Sequence, residues 1–198
     1  MVKIMTADII GVVMAGGKST RFGSDKAFAL YQGTPLYEYS IKTLTEVVNK
    51  TVMVTNDNLL QTYRDKTDLE IKSDLPPFQN CGPLGGLYTA LTSWQADWYL
   101  VLPIDVPLMN KRMLQRMLAY IDGKVDAVVP VIHTKKQPLI AVYHFTVKDI
   151  LREQLNKQDY QVTNFLDKLS VRYLDEQDGE NSFFHNINTQ MDYKMYLS

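Results

Sequence analysis

Cys81 is the single cysteine in 198 residues. A disulfide needs two thiols and a thiolate metal cage needs more, so neither underlies this fold, and the composition fits a reducing compartment. Charge of one sign is equally lacking: 21 Lys and Arg oppose 22 Asp and Glu, for a formal net charge of -1. No global field draws in nucleic acid or an anionic membrane, so an anionic ligand has to be held by a local constellation. Nothing in the chain approaches the roughly 20 consecutive apolar residues of a membrane span. Met1 to Asp8 carries one Lys and no long apolar stretch, which reads as a cytoplasmic protein. Repeats, low-complexity tracts and linkers rich in Pro, Gly or Ser are also missing, so the length predicts one domain. His133, His144 and His185 have no metal-ligand spacing and read as surface or core histidines.

What is present is an alternation of two periods. Ile9 to Met14 is an almost wholly apolar run that ends before Gly16-Gly17, the pattern of a strand buried on both faces. Pro35 opens a segment in which Leu36, Tyr39, Ser40, Thr43, Leu44 and Val47 recur at helical spacing, with Pro in the first turn. Thr51 to Thr55 reads as a second strand, Leu59 to Lys66 as a helix and Leu69 to Ser73 as a third strand. Helix Leu84 to Trp94, strand Trp98 to Leu102, helix Lys111 to Ile121 and strand Asp126 to Val131 continue the series. Toward the end, Pro138 to His144 reads as an antiparallel strand, Val147 to Asn156 as a helix and Val171 to Leu174 as a strand at the sheet edge. The predicted class is α/β: a Rossmann-like three-layer α/β/α sandwich, its sheet mainly parallel with an antiparallel edge.

Ligands of such sheets bind outside the carboxyl ends of the strands, so the residues following each strand carry the functional question. Ala15-Gly16-Gly17 follows the first strand, Asp74 the third and Pro103-Ile104-Asp105 the fourth, which places all three on one rim. Gly16 and Gly17 let backbone N–H groups come close to phosphate oxygens, and Arg21 and Lys26 add a bidentate fork and a point charge a few residues later. Together they describe a polyphosphate cradle. It is not a P-loop: that motif needs a Gly five positions before Gly17, where Val12 stands. It is not the G-x-G-x-x-G dinucleotide fingerprint either, because Gly16 and Gly17 are adjacent and Thr55-Asn56-Asp57 places its Asp beyond an Asn.

The string Met14-Ala15-Gly16-Gly17-x-x-x-Arg21-x-Gly23-x-x-Lys26 resembles the signature of nucleotidyltransferases of the glycosyltransferase-A-like, nucleotide-diphospho-sugar transferase fold. Taken with Gly33-x-Pro35-Leu36, Cys81-Gly82-Pro83-Leu84-Gly85-Gly86, Pro103-Ile104-Asp105-Val106-Pro107 and Asn186-Ile187-Asn188-Thr189, the pattern over nearly the whole chain resembles the molybdenum cofactor guanylyltransferase family. Met14 stands where that family usually has Leu, a volume-conserving difference.

The resemblance implies transfer of GMP from GTP to the molybdenum-molybdopterin cofactor with release of pyrophosphate. It implies GTP contacts from Met14, Ala15, Gly16, Lys26 and Asp74, and Mg²⁺ on Asp105, with Asn56 a looser match for the base pocket; the residues themselves add Gly17 to the phosphate turn and Gly85, with Gly86, where a missing Cβ lets backbone approach a flat base. Arg21, Lys26 and Asp105 carry the catalytic charge neutralisation, and Asn186 and Asn188, alternating on an extended segment, face the acceptor or metal side. Residues 1–107 are then the nucleotide-binding part and residues 108–198 the acceptor-binding part. Asp74 suits either the guanine N1–H and amino edge or a ribose hydroxyl. The family's cofactor traffic also implies transient contact with proteins that deliver or accept the cofactor. The readings left open are a cytidylyltransferase on the same pterin, a sugar- or alcohol-phosphate nucleotidyltransferase, and a nucleotide sensor; a helix N-cap role for Asp105, an Asx-turn at Asn186 to Asn188 and a solvated hairpin tip at Lys135 and Lys136 are the plain structural alternatives.

Overall fold

Four consecutive residues of the apolar run in β1 (Ile9–Met14) are fully buried, and that strand lies in the middle of the sheet. The computed structural model describes residues 7–16, 28–132 and 134–175. Ile10 and Val12 point into one apolar layer and Val13 and Ala15 into the other, as the period of two requires for a strand covered on both sides. Beside β1 lie β4 (Lys50–Thr55) and β6 (Trp98–Pro103), both parallel to it. Outside β4 comes β5 (Glu70–Ser73), again parallel.

On the other flank β9 (Ala141–His144) inserts antiparallel between β6 and β7 (Ala127–Ile132). The short β8 (Lys135–Lys136) pairs antiparallel with β7, and β10 (Val171–Asp175) closes that edge parallel to β7. The spatial order is β10-β7-β9-β6-β1-β4-β5.

Six helices cover the two faces among the described residues. The layer holding Val13 and Met53 is closed by α1 (Leu36–Thr45), α2 (Asp57–Arg64) and α4 (Lys111–Leu118) through Leu44, Tyr63, Met113 and Met117. The opposite layer is closed by α3 (Pro83–Ser93), α5 (Val147–Asn156) and α6 (Val162–Leu166) through Leu87, Leu91, Leu151 and Phe165. This is the three-layer sandwich expected from the alternation.

Several boundaries differ from the expectation for identifiable reasons. α2 begins at Asp57 rather than Leu59, because the Asn56 side chain accepts a hydrogen bond from the Leu59 N–H (3.1 Å) and caps the helix two residues earlier. Pro35 is the N-cap of α1 and the last residue of β3 (Thr34–Pro35), not part of the first turn. β3 and β2 (Leu30–Tyr31) form a hairpin whose turn residues Gln32 and Gly33 both have positive φ, 47° and 80°. That is the geometry of the tight turns favoured in two-residue hairpin loops. Neither this hairpin nor α6 has arms long enough to display a period.

Candidate functional site

The four strands β6, β1, β4 and β5 run side by side and parallel, so their carboxyl ends form one rim. From β1 the chain steps outward to β4 and β5, then returns to place β6 on the other side of β1. The reversal leaves a crevice between the ends of β1 and β6, the place where open α/β sheets bind ligands. Met14 pairs with Pro103 in the parallel register, and the Ile104 N–H donates to the Met14 carbonyl (3.3 Å). Asp105 follows, half-buried in a turn.

Asp105 does not cap α4. That role belongs to Asn110, whose Oδ1 accepts from the Met113 N–H at 3.0 Å. The segment carrying Asp105 is instead held from α1. The buried Ser40 hydroxyl donates to the Pro103 carbonyl (2.8 Å), and the Thr43 hydroxyl reaches the Met109 carbonyl (3.3 Å). Both bonds fix the backbone on either side of the carboxylate.

Asp74 lies immediately beyond β5, its N–H donating to the Thr55 carbonyl at 3.2 Å. The next residue is anchored to α3: the Leu75 N–H donates to Thr89 Oγ1 (2.9 Å), which itself donates to the Gly85 carbonyl (3.0 Å). Burial, with the like charge of Asp57 adding to it, pushes the Asp74 carboxyl up to about 6. A carboxylate that is costly to ionise and stands on the ligand rim marks a candidate binding group.

The two adjacent glycines of α3 have different jobs. A Cβ at Gly86 would lie 2.5 Å from Met14 Cε and 3.6 Å from Asp74 Oδ1, so Gly86 makes room where Met14 and Asp74 converge. A Cβ at Gly85 would lie 2.5 Å from the Phe78 carbonyl oxygen, so the missing side chain there lets α3 pack on the preceding loop. Gly16 sits against the end of β4, where a Cβ would come within 3.3 Å of the Thr55 carbonyl carbon. Met14, Ala15, Gly16, Asn56, Asp74 and Asp105 are thus gathered on one rim, with Gly86 beneath Met14. From Asp105 beyond β6 to Asp74 beyond β5 the rim crosses three strand intervals, about 14 Å at the usual spacing.

Gly17, Arg21, Lys26, Asn186 and Asn188 lie outside the described residues, as do His133 and His185. His144 is at the opposite rim, its Nδ1 2.8 Å from the Thr146 hydroxyl and its ring 4.6 Å from that of Trp98. Lys135 and Lys136 are exposed on β8, with Lys136 Nζ 4.6 Å above the Tyr173 ring. No cluster of three or more His, Cys, Asp or Glu occurs among the described residues. A magnesium ion held by one or two carboxylates and by substrate phosphates needs no such cluster, and the hard oxygens of Asp105 at the crevice suit that mode.

Two residues of the site escape a reading of the sequence. Thr55 looks like an ordinary β-branched strand residue and Ser40 like a helix-face residue. Both are buried hydroxyls that tie the rim together across distant parts of the chain.

Residues 11–173 match the family model described as the MobA-like NTP transferase domain. A protein of Bacillus velezensis named molybdenum cofactor guanylyltransferase is 35% identical over 191 residues, covering 96% of this chain and 94% of its own. A protein of the same name from Bacillus subtilis is 36% identical over 186 residues, covering 93% and 92%. The crystal structure of molybdopterin-guanine dinucleotide biosynthesis protein A from Archaeoglobus fulgidus shares the fold, with a TM-score of 0.81 at 24% identity over 95% of this chain and 96% of that one. The parallel strand ends, the crevice beside β1 and these matches over most of the chain lead to one assignment: the protein belongs to the MobA-like NTP transferase family and is a nucleotidyltransferase.

Proposed function

We propose that this enzyme transfers GMP from GTP to the terminal phosphate of molybdenum-molybdopterin, forming the guanine dinucleotide form of the cofactor in the cytoplasm. The observation that carries the reading is the pair of carboxylates at the two ends of one rim. Asp74 stands beyond β5, Asp105 beyond β6, and the turn Met14-Ala15-Gly16 lies between them. The names of the relatives supply the acceptor and the base, since both Bacillus proteins are called molybdenum cofactor guanylyltransferases.

In this reading an oxygen of the acceptor phosphate attacks the α-phosphorus of GTP in line. The bond from the α-phosphorus to the α–β bridging oxygen breaks, and pyrophosphate leaves. No covalent enzyme intermediate is formed, so the protein contributes positioning and charge neutralisation. Backbone N–H groups of Gly16 and Gly17, Arg21 and Lys26 hold the triphosphate. Asp74 accepts hydrogen bonds from the donor edge of guanine or from the ribose, with Met14, Asn56 and the α3 glycine Gly86 around it, while Gly85 serves the pocket by letting α3 pack closely on the preceding loop. Asn186 and Asn188 face the acceptor, so that residues 1–107 serve the nucleotide and residues 108–198 the pterin. Asp105 holds Mg²⁺, which when bound neutralises phosphate charge.

The test is Asp105→Ala. Pyrophosphate release from GTP and acceptor is expected to be lost while the variant still unfolds in one cooperative thermal transition, which shows that the fold survives. A variant that turned over at the native rate would remove Asp105 from the reaction and leave the reading without its metal ligand.

A further inference from the structure

Thr55 is the last residue of β4 and is fully buried. The hydrogen-bonded register between β1 and β4 runs to Met14 opposite Val54 and is extended by the Ala15 N–H, which donates to the Val54 carbonyl at 2.8 Å. One residue further on, the Thr55 hydroxyl donates to the Ala15 carbonyl at 3.1 Å. The same residue's carbonyl accepts from the Asp74 N–H at 3.2 Å. Gly16 packs directly on its backbone, and Asn56 follows it in the chain.

The geometry points to Thr55 as a positioning residue for the nucleotide: its hydroxyl ties the first turn after β1 to the strand end that also carries the Asp74 backbone. Phosphate-facing turn and base-end carboxylate are thereby held in one register through a single residue, by its hydroxyl on the Ala15 side and its carbonyl on the Asp74 side. The inference rests on the reading that this rim binds a nucleoside triphosphate. A serine keeps the donor and loses only a methyl group; a valine keeps the shape and loses the donor.

The test compares Thr55→Val, Thr55→Ser and the native protein, each titrated with GTP and Mg²⁺ by calorimetry and assayed for pyrophosphate release. Removing the tether leaves groups that act on the bound nucleotide but frees their relative placement. The Val variant is therefore expected to bind GTP about tenfold more weakly, the worth of one such hydrogen bond. Its KM for GTP is expected to rise by a similar factor, a larger effect than the fall in kcat, and Ser to restore affinity to within about threefold. Equal affinity of Val and native proteins overturns the inference, as does a Ser variant as impaired as Val, which would trace the effect to methyl packing. Should Val fail to fold, Thr55→Ala takes its place beside Ser, and Ala binding as tightly as Ser is the overturning result. Native protein that binds no GTP overturns the nucleotide reading and this inference with it; native binding with an unaltered variant overturns this inference alone.

Discussion

Replacing Asp74 with Asn is expected to make the free protein more stable while weakening its nucleotide binding. The carboxyl is half-buried beyond β5, and burial, then Asp57, raises the pH at which it ionises from the ordinary 3.8 to about 6. A raised acid value means that the folded chain holds the proton more tightly than the unfolded chain. The ionised form is therefore a cost to folding that is absent below about pH 3.8, grows between there and about pH 6, and is constant above. The separation corresponds to about 3 kcal/mol, and solvent screening at a partly exposed group reduces it to roughly 1–2 kcal/mol. Asn keeps the shape without the charge. At about pH 8 the variant should unfold later by roughly 2–8 °C, and the gain should vanish as the wild type takes up its proton toward pH 4. With GTP and Mg²⁺ the order reverses, because a ligand that binds only the folded state stabilises the protein that binds it better. Differential scanning fluorimetry across this pH range, with and without nucleotide, reads all three effects. A variant less stable than wild type in nucleotide-free buffer at pH 8, or a difference that does not change with pH, refutes the argument.

Three further perturbations separate packing from binding. Gly86→Ala meets only the flexible end of Met14, so it should cost less than about 1 kcal/mol of stability and yet raise the KM for GTP by displacing the Met14 side chain at the rim. Gly85→Ala meets the rigid Phe78 carbonyl and should destabilise by about 1–3 kcal/mol in a denaturant titration. Ser40→Ala removes the donor to the Pro103 carbonyl beside the Asp105 turn, and should cost about 1–2 kcal/mol and lower kcat more than it raises the KM for GTP. An S40A enzyme with native kcat would show that the α1 tether does not position Asp105.

The layers of the fold are legible in the sequence because each is written by burial. β1 at Ile9–Met14 and α5 at Val147–Asn156 coincide with their apolar patterns residue for residue. Where a local hydrogen bond overrides the pattern, as Asn56 does at the start of α2, the pattern misplaces the boundary. α6 is a single turn held by Phe165 and Leu166 against the core, too short to show a period. The rim is legible for the same reason as the strands, since each buried run ends at a marked residue: Ala15, Asp74 or Asp105. The division of labour between Gly85 and Gly86 is not, because it depends on which neighbour each faces, a carbonyl of the preceding loop or the Met14 side chain. Nor are the Thr55 and Ser40 tethers, which join residues 40 and 63 positions apart.

The most direct test of the proposed reaction is label transfer from nucleoside triphosphates carrying radioactive α-phosphate, incubated one at a time with the purified enzyme, Mg²⁺ and molybdenum-molybdopterin. GTP is expected to pass its label to the pterin with one pyrophosphate released per transfer, and ATP, CTP and UTP to pass none. Label arriving from CTP and not from GTP would contradict the assignment of the base, and label arriving from no nucleotide would contradict the assignment of the acceptor.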